Sequence, residues 1–204
     1  MKKLLSPAGI LLIIVILIAI MAWSSYNRLV GLEESVDAAW SQVENVYQRR
    51  ADLIPNLVKT VEGTRDFEQQ TLQNVVEARA KVGQVQISGA PTAEQMSAFQ
   101  ANQSALGSAL SRLLAVVERY PDLKATEAFR DLQRQIEGAE NRITVERRRF
   151  NEAARAYNTS RRRFPANLMA NYLGFEEKAY FESDAGTEKP PAINFPNRAH
   201  RQPL

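Results

Sequence analysis

The chain has 204 residues, of which 45% are hydrophobic and 24% charged, with a formal net charge of +3 and a sequence pI near 9.3. These values are typical of one folded domain and exclude bulk disorder. The chain has no cysteine, which excludes disulfides, thiol catalysis and thiolate metal sites, and its single histidine, His200, lies in a polar tail. Enzymes that use imidazole or thiol chemistry are therefore disfavoured.

The N-terminal segment is the strongest signal in the sequence. Residues 4–23, "LLSPAGILLIIVILIAIMAW", carry no charge and are as long as a helix that crosses a bilayer. We therefore predict a transmembrane anchor over residues 1–25. Trp23 and Tyr26 follow the apolar run and are expected at the membrane interface, where amphipathic rings are favoured.

A cleavable signal peptide is the alternative interpretation of this segment. Lys2 and Lys3 precede the apolar run, and the residues 22–24, "AWS", loosely fit a cleavage site. Helical periodicity continues past Ser24, which favours the uncleaved anchor. More basic residues precede the span than follow it closely, so we expect the N-terminus in the cytoplasm and the domain on the extracytoplasmic side.

The first helix of the domain contains an unusual stretch, "QRRADLIPNLVKTV", at residues 48–61. Apolar residues recur from Leu29 at steps of three and four, which predicts an amphipathic helix that ends near Gly63. Pro55 cannot donate a hydrogen bond to the carbonyl of Ala51. The helix is therefore expected either to kink there or to stop and restart with Asp52 as a local cap.

Two shorter helices follow. Helix 2 is predicted to begin near Asp66, where Gln69 has the spacing of a capping box. The segment "GQVQISGAP", residues 83–91, has glycines and a proline and is predicted to be a loop. Helix 3 is predicted to begin with a second capping box, formed by Thr92 and Gln95.

Helix 4 is predicted after Pro121 and is long. Pro121 ends helix 3, because the residue before a proline is pushed out of the helical region. Thr126 is placed to cap this helix, which runs to about Phe164. Gly138 lies inside it and weakens it by roughly 1 kcal/mol relative to alanine. We therefore predict that a neighbouring helix comes close at this glycine.

These elements predict an all-α fold, in which the N-terminal transmembrane helix continues into an elongated antiparallel four-helix bundle with coiled-coil-like packing. The bundle spans residues 26–164, because four amphipathic helices joined by short loops bury their apolar stripes best in this way. Residues 165–182 are predicted to pack on the bundle end. Residues 183–204 have the composition of an extended or disordered tail.

Four stretches together resemble one known family. They read "DAAWSQVENVYQRRADLIPNLVKTV", "SRLLAVVERYPDLKA", "IEGAENRITVERRRFNEAARAYN" and "FPANLMANYLGFEEKAYF". Over residues 26–182 the chain is similar to the LemA family of bacterial membrane-anchored helical proteins. The resemblance implies a single N-terminal helix in the bacterial inner membrane and a bundle of long helices. It implies no catalytic residue, and in the tail only "PPAINF" matches.

A polar layer is predicted inside the bundle. Arg50 occupies a core-facing position, and an antiparallel fourth helix would bring the core-facing Glu146 within about a turn of it. We therefore predict an Arg50–Glu146 contact, with Gln103 nearby and with Asp52 and Pro55 alongside. Such a pair specifies register more than it stabilises. A surface kink without functional meaning is the competing interpretation of the proline.

A second cluster of polar residues is basic. In an alternating bundle the fourth helix returns toward the membrane, which makes Arg161, Arg162 and Arg163 candidate contacts for lipid headgroups. A solvated helix face is the competing interpretation. No groove-reading motif or base-stacking sheet is evident, so nucleic acid is not an expected partner.

The sequence contains no motif for catalysis, cofactor binding or metal binding. Glu33, Glu34 and Asp37 form a carboxylate cluster that is expected to be solvated. We predict a non-enzymatic scaffold or adaptor without cofactor, which self-associates at the membrane into a homo-oligomer. A sensing bundle with a hinge near Pro55 is the alternative, and a hydrolase built from carboxylates and arginines is a second rival.

Overall fold

The computed structural model describes residues 7–65, 67–85, 87 and 89–182. All regular secondary structure in these ranges is helical, and the helices are α1 (Pro7–Glu62), α2 (Gln69–Gly83), α3 (Ala93–Val117), α4 (Pro121–Ala125), α5 (Glu127–Arg162) and α6 (Ala166–Tyr172). An all-α fold with one long apolar N-terminal helix is therefore confirmed. The predicted tail, residues 183–204, lies outside the described residues.

Helix α1 is unbroken over 56 residues, from the apolar segment to the end of the first bundle helix. Its first half is exposed, and a buried stripe begins at Leu29. Pro55 lies inside the helix. The alternative in which the helix stops and restarts at Asp52 is thus wrong, while the predicted end near Gly63 is confirmed because α1 ends at Glu62.

The predicted helix starts have mixed outcomes. Thr92 accepts from the backbone N–H of Gln95 and the Gln95 side chain accepts from the backbone of Thr92, so this capping box is confirmed. Thr126 caps α5 as predicted. Helix α2 begins at Gln69, three residues after the predicted start, and Glu68 before it makes no side-chain cap. The capping box predicted with Asp66 falls on a residue outside the described ones.

Two features of the later helices differ from the predictions. Pro121 follows the end of α3 but also opens the short helix α4, where its fixed φ and missing N–H are tolerated in the first turn. No atom lies within 4 Å of a Cβ built at Gly138, so the close helix approach predicted there is wrong. Residues 166–172, in the segment predicted to pack on the bundle end, form the helix α6.

Helices α1 and α5 form the most extensive pair and run antiparallel. The ring of Trp40 lies 5.6 Å from that of Phe150, and Arg50 contacts Glu140, so residue numbers rise along one helix as they fall along the other. Helix α2 packs on α3, and α1 also contacts α3 where the Trp40 and Phe99 rings are 5.2 Å apart. The coiled-coil-like four-helix bundle itself stays a prediction.

The apolar core consists of two clusters that follow each other along α1. The membrane-side cluster contains Leu29, Val36, Trp40, Val43, Tyr47, Phe99, Ile143, Phe150 and Tyr157, together with Ala166, Ala170, Phe175 and Phe181 from the C-terminal segment. The distal cluster contains Ile54, Leu57, Val58, Val61, Leu72, Val75, Leu106, Leu110, Leu113, Phe129 and Ile136. Polar and charged side chains lie where one cluster ends and the other begins.

Candidate functional site

Arg50 lies between the two apolar clusters and is only 3% exposed. Its Nη1 donates to Glu140 Oε1 at 2.6 Å, and its Nη2 donates to the side-chain oxygen of Gln103. The guanidinium carbon also lies 5.2 Å from the centre of the Tyr47 ring. Because the Glu140 side chain is 45% exposed, the buried cation is neutralised at the edge of the core and not deep within it.

The acidic partner of Arg50 is Glu140, and the predicted contact with Glu146 is wrong. The expected register placed Arg50 midway between these two glutamates, about one turn from each. The observed register is shifted by three residues toward Glu140, because Trp40 packs directly against Phe150. A small offset in aromatic packing therefore selects which carboxylate reaches the buried arginine.

The other predicted members of the layer lie elsewhere. Glu146 accepts from Arg149 Nη1 at 2.8 Å, within its own helix. Asp52 is exposed and accepts from Gln48 Nε2 at 2.9 Å. The structure therefore places Gln103 beside Arg50, as predicted. Neither Asp52 nor Glu146 contacts Arg50.

Pro55 has a specific compensation in the structure that the sequence did not reveal. The missing N–H of Pro55 leaves the carbonyl of Ala51 without its helical donor. Arg79, from α2, donates its Nε–H to that carbonyl at 3.0 Å. An arginine one position after the buried Ala78 on a neighbouring helix was the available signal, but the pairing requires the tertiary fold. The helix thus stays continuous because α2 replaces the lost donor.

We expect Arg79→Met to lower the free energy of unfolding by about 1 to 2 kcal/mol, because the carbonyl of Ala51 would lose its donor. Pro55→Ala restores a backbone N–H that can reach the same carbonyl. In the Pro55→Ala background, Arg79→Met should therefore cost clearly less. Urea denaturation of the four proteins in this cycle measures the difference, and equal costs in both backgrounds would show that Arg79 does not compensate for the proline.

Residues 175–182 form an extended segment that runs antiparallel to α5. Asn158 Nδ2 donates to the carbonyl of Lys178 at 2.8 Å, and the Lys178 N–H donates to Asn158 Oδ1 at 2.9 Å. Asn151 makes the same pair of bonds with the backbone of Phe181, at 3.0 and 2.9 Å. We call these two asparagines the asparagine clamps.

The spacing of the asparagine clamps matches an extended chain laid along a helix. Seven residues of helix span about 10.5 Å, and three residues of extended backbone span about 10 Å. The clamps therefore meet Lys178 and Phe181 in register, and Phe175 and Phe181 are buried on the membrane-side cluster. Sequence reasoning missed these residues, although two asparagines seven positions apart in a helix were a usable signal.

Arg161 has a structural contact that differs from the predicted role. Its Nε donates to the carbonyl of Phe175 at 2.6 Å, and its Nη2 donates to Asn171 Oδ1 at 3.3 Å. Arg161 thus holds the start of the extended segment. Arg162 and Arg163 are exposed. Of the three candidate headgroup contacts, these two have side chains that point into solvent at the end of α5.

Tyr157 is fully buried beside the extended segment, and its hydroxyl has no hydrogen-bond partner among the described residues. Lys178 Nζ lies 5.3 Å from the centre of its ring and 2.6 Å from Glu33 Oε1. Burial, followed by the negative charge of Glu33, raises the pKa of Tyr157 to about 12 from its usual 10.0. The phenol therefore keeps its proton in the folded protein at a pH where the unfolded chain loses it.

This shift predicts a loss of stability at high pH. Between pH 10 and about 12 the folded protein binds the proton of Tyr157 and the unfolded chain does not, so the free energy of unfolding falls as pH rises. The contribution is about 1.4 kcal/mol per pH unit. The free energy of unfolding, measured by urea denaturation at several pH values in this range, should fall less steeply with pH for Tyr157→Phe. Tyr172→Phe, at a 90% exposed position, should show the same slope as the unchanged protein. Identical slopes for Tyr157→Phe would contradict the shift.

The acidic residues at the start of the domain have structural partners. Glu33 is paired with Lys178, and Asp37 Oδ1 accepts from the N–H of Ala90 at 2.8 Å. Within the described residues, no group of three or more histidine, cysteine, aspartate or glutamate side chains is placed to hold a metal ion. The expectation that these carboxylates are simply solvated is therefore wrong for Glu33 and Asp37.

The described residues form an all-helical protein whose N-terminal helix is long and apolar enough to cross a membrane. None of the apolar stretch of this helix is buried, and the same helix continues into the packed domain. The LemA family model matches residues 39–195. The chain belongs to the LemA family, as its motifs predicted.

Several relatives support this assignment. The chain is 27% identical to magnetosome protein MamQ 2 of Paramagnetospirillum magneticum over 184 residues, which cover 81% of this chain and 67% of the relative. It is 26% identical to MamQ of Magnetospirillum gryphiswaldense over 183 residues, with the same coverage. It is 24% identical to protein LemA of Metamycoplasma hominis over 157 residues, or 77% and 68% of the two chains. The apolar helix and these relatives together indicate a membrane location.

Proposed function

We propose that this protein is a non-enzymatic scaffold, anchored in the bacterial inner membrane by the uncleaved first part of α1, that self-associates through its helical domain. The observation that carries this proposal is the continuity of α1. The exposed apolar segment and the buried stripe from Leu29 onward belong to one helix of 56 residues. A domain joined to its anchor in this way follows the height and tilt of the anchor in the bilayer.

The contacts within the domain favour a structural role. Arg50 donates through Nη1 and Nη2 to Glu140 and Gln103, and the carbonyl freed by Pro55 accepts from Arg79. These polar contacts stabilise one arrangement of the helices. We propose that α1, α2, α3 and α5 together form a four-helix bundle around the two apolar clusters.

Self-association is the finer part of the proposal. A membrane anchor confines copies of the chain to two dimensions and raises their effective concentration. The test is the mass of the intact particle after the full chain is purified in mild detergent. A mass of several chains supports the scaffold, whereas a monomer without a copurifying protein would overturn self-association.

The uncleaved anchor and its orientation are tested separately. Intact mass spectrometry of the purified chain should give the mass of a protein that retains its apolar segment, and a chain that begins after Ser24 would overturn the anchor. Because the sequence has no cysteine, Asn56→Cys provides a single labelling site at an exposed position of the domain. A membrane-impermeant maleimide should label it from outside spheroplasts, and labelling only after lysis would reverse the orientation.

Sensing is the second candidate function, and grooves beside Arg50 favour it. One groove of about 750 Å³ is lined by Glu44, Arg79 and Gln103, among others, and one of about 740 Å³ is lined by Arg50, Glu140 and Arg147. Burial raises the pKa of Glu44. Native mass spectrometry that detects a stoichiometric small molecule on the purified protein would place sensing ahead of scaffolding.

A further inference from the structure

The end of α5 lies beside the part of α1 that leaves the apolar segment. The contacts of Trp40 with Phe150 and of Arg50 with Glu140 fix the antiparallel register of the two helices. Continued to the end of α5, this register places Arg162 opposite Arg28, so that Phe164, two residues further along the chain, lies close to Tyr26. Tyr26 is three residues after Trp23, or about 4.5 Å along the helix. Phe164 therefore lies at the height of the predicted membrane interface.

Helix α6 is held at the same height from both of its ends. It begins two residues after Phe164, and the chain that leaves it returns to α1 where the rings of Phe175 and Tyr26 are 5.9 Å apart. Ala166 and Ala170 are its buried residues, and they pack in the cluster that contains Leu29. The helix cannot extend far from the membrane end of the domain.

The side of α6 opposite these alanines is apolar and exposed. Phe164 is 74% exposed, Leu168 67% and Tyr172 90%, and these residues recur at steps of four, so the two within α6 share one helical face. Leu173 is 43% exposed and follows directly. We call these four residues the membrane-proximal surface. Elsewhere in the described domain, beyond Tyr26, large apolar side chains at least 36% exposed are scattered: Val76, Val145 and Tyr180.

We propose that the membrane-proximal surface inserts into the interfacial layer of the same bilayer that α1 crosses, as a second membrane contact of the domain. Aromatic and aliphatic side chains that project from an amphipathic helix favour this layer. The bilayer is the expected binding partner of this surface, because the surface begins where the transmembrane part of α1 ends. This inference rests on the proposed anchor and specifies how the domain is seated.

The charges around the surface favour apolar insertion over purely electrostatic attraction. Arg28, Arg162 and Arg163 are exposed at this end and can face phosphate groups. Glu176 and Glu177 are also exposed, just after Phe175, and they offset part of that positive charge. Binding by the apolar surface should therefore persist in a bilayer without anionic lipid.

The test uses the full chain in lipid nanodiscs with one nitroxide label in each variant, which the absence of native cysteine allows. Labels are placed by Leu168→Cys and Tyr172→Cys, with Ile14→Cys as a reference in the apolar span and Val76→Cys as an exposed reference on α2. Electron paramagnetic resonance measures how strongly two reagents enhance the relaxation of each nitroxide: oxygen, which concentrates in lipid, and a water-soluble nickel chelate. The readout is the ratio of the oxygen effect to the nickel effect. The measurement is made in phosphatidylcholine and in mixtures with phosphatidylglycerol.

Labels at positions 168 and 172 should give ratios severalfold above the ratio at position 76 and below the ratio at position 14. This order should hold in both lipid compositions. Ratios equal to that at position 76 would overturn the inference while the lipid signal at position 14 leaves the anchor standing. Low relaxation by both reagents would show that protein covers the surface, which also overturns it. An aqueous signal at position 14 would instead reject the anchor together with the inference.

Discussion

Asn158→Ala is expected to release the extended segment from α5 and to lower the free energy of unfolding by about 3 kcal/mol. The side chain of Asn158 is 1% exposed and takes part in three hydrogen bonds, two with the backbone of Lys178 and one donated to the Tyr180 hydroxyl at 3.0 Å. Alanine would leave the backbone groups of Lys178 without partners. Phe181, which stacks on Trp40 at 6.1 Å, would then lose its fixed position.

Hydrogen exchange at the amide of Lys178, together with urea denaturation, measures this effect. Asn56→Ala is the matched control, because Asn56 is exposed and its substitution should change stability by less than about 0.5 kcal/mol. Asn151→Ala removes the other clamp and should expose the amide of Phe181. Unchanged protection of Lys178 in the Asn158 variant would mean that the buried phenylalanines alone hold the segment.

Glu140→Ala is expected to cost about 2 kcal/mol, because it leaves the buried guanidinium of Arg50 with Gln103 as its remaining side-chain partner. A fully buried pair would cost about 3 to 5 kcal/mol when broken on one side. The lower value follows from the 45% exposure of the Glu140 side chain, which allows water to approach the guanidinium once the carboxylate is gone.

The background Arg50→Met tests whether this cost comes from the stranded charge. Methionine fills a similar volume without charge, so the single substitution should be tolerated and Glu140→Ala should then have little further effect. Glu146→Ala is the control, since it removes the ion pair with Arg149 within one helix and should cost about 0.5 kcal/mol. Chemical denaturation of these variants gives the coupling, and equal costs for Glu140 and Glu146 would contradict the observed register.

The sequence predicted the features that depend on local pattern. The caps at Thr92 and Thr126 and the end of α1 before Gly63 follow from short-range hydrogen bonding and periodicity, and the structure has them. Arg50 was assigned to the core from its position in the apolar stripe, and it is buried. These predictions need no knowledge of how distant parts of the chain meet.

The wrong predictions depend on tertiary register. Glu146 was predicted as the partner of Arg50, but the packing of aromatic side chains sets an offset between α1 and α5 that brings Glu140 to it instead. The donor for the carbonyl of Ala51 comes from Arg79, and the partners of Asn158 lie 20 and 22 residues further along the chain. Such contacts decide the site, and the residues that receive them are identified only once the tertiary fold brings distant segments together.

With α1 anchored as proposed, its unbroken course couples the domain mechanically to the bilayer. From Trp23 to Arg50 the helix extends about 40 Å. Bilayers of different thickness change the tilt of a spanning helix, and a change of about 10° at the anchor would sweep the level of Arg50 sideways by roughly 7 Å. A protein bound to the distal half of α1, near Arg50, would therefore be displaced when lipid thickness changes, without contacting lipid itself.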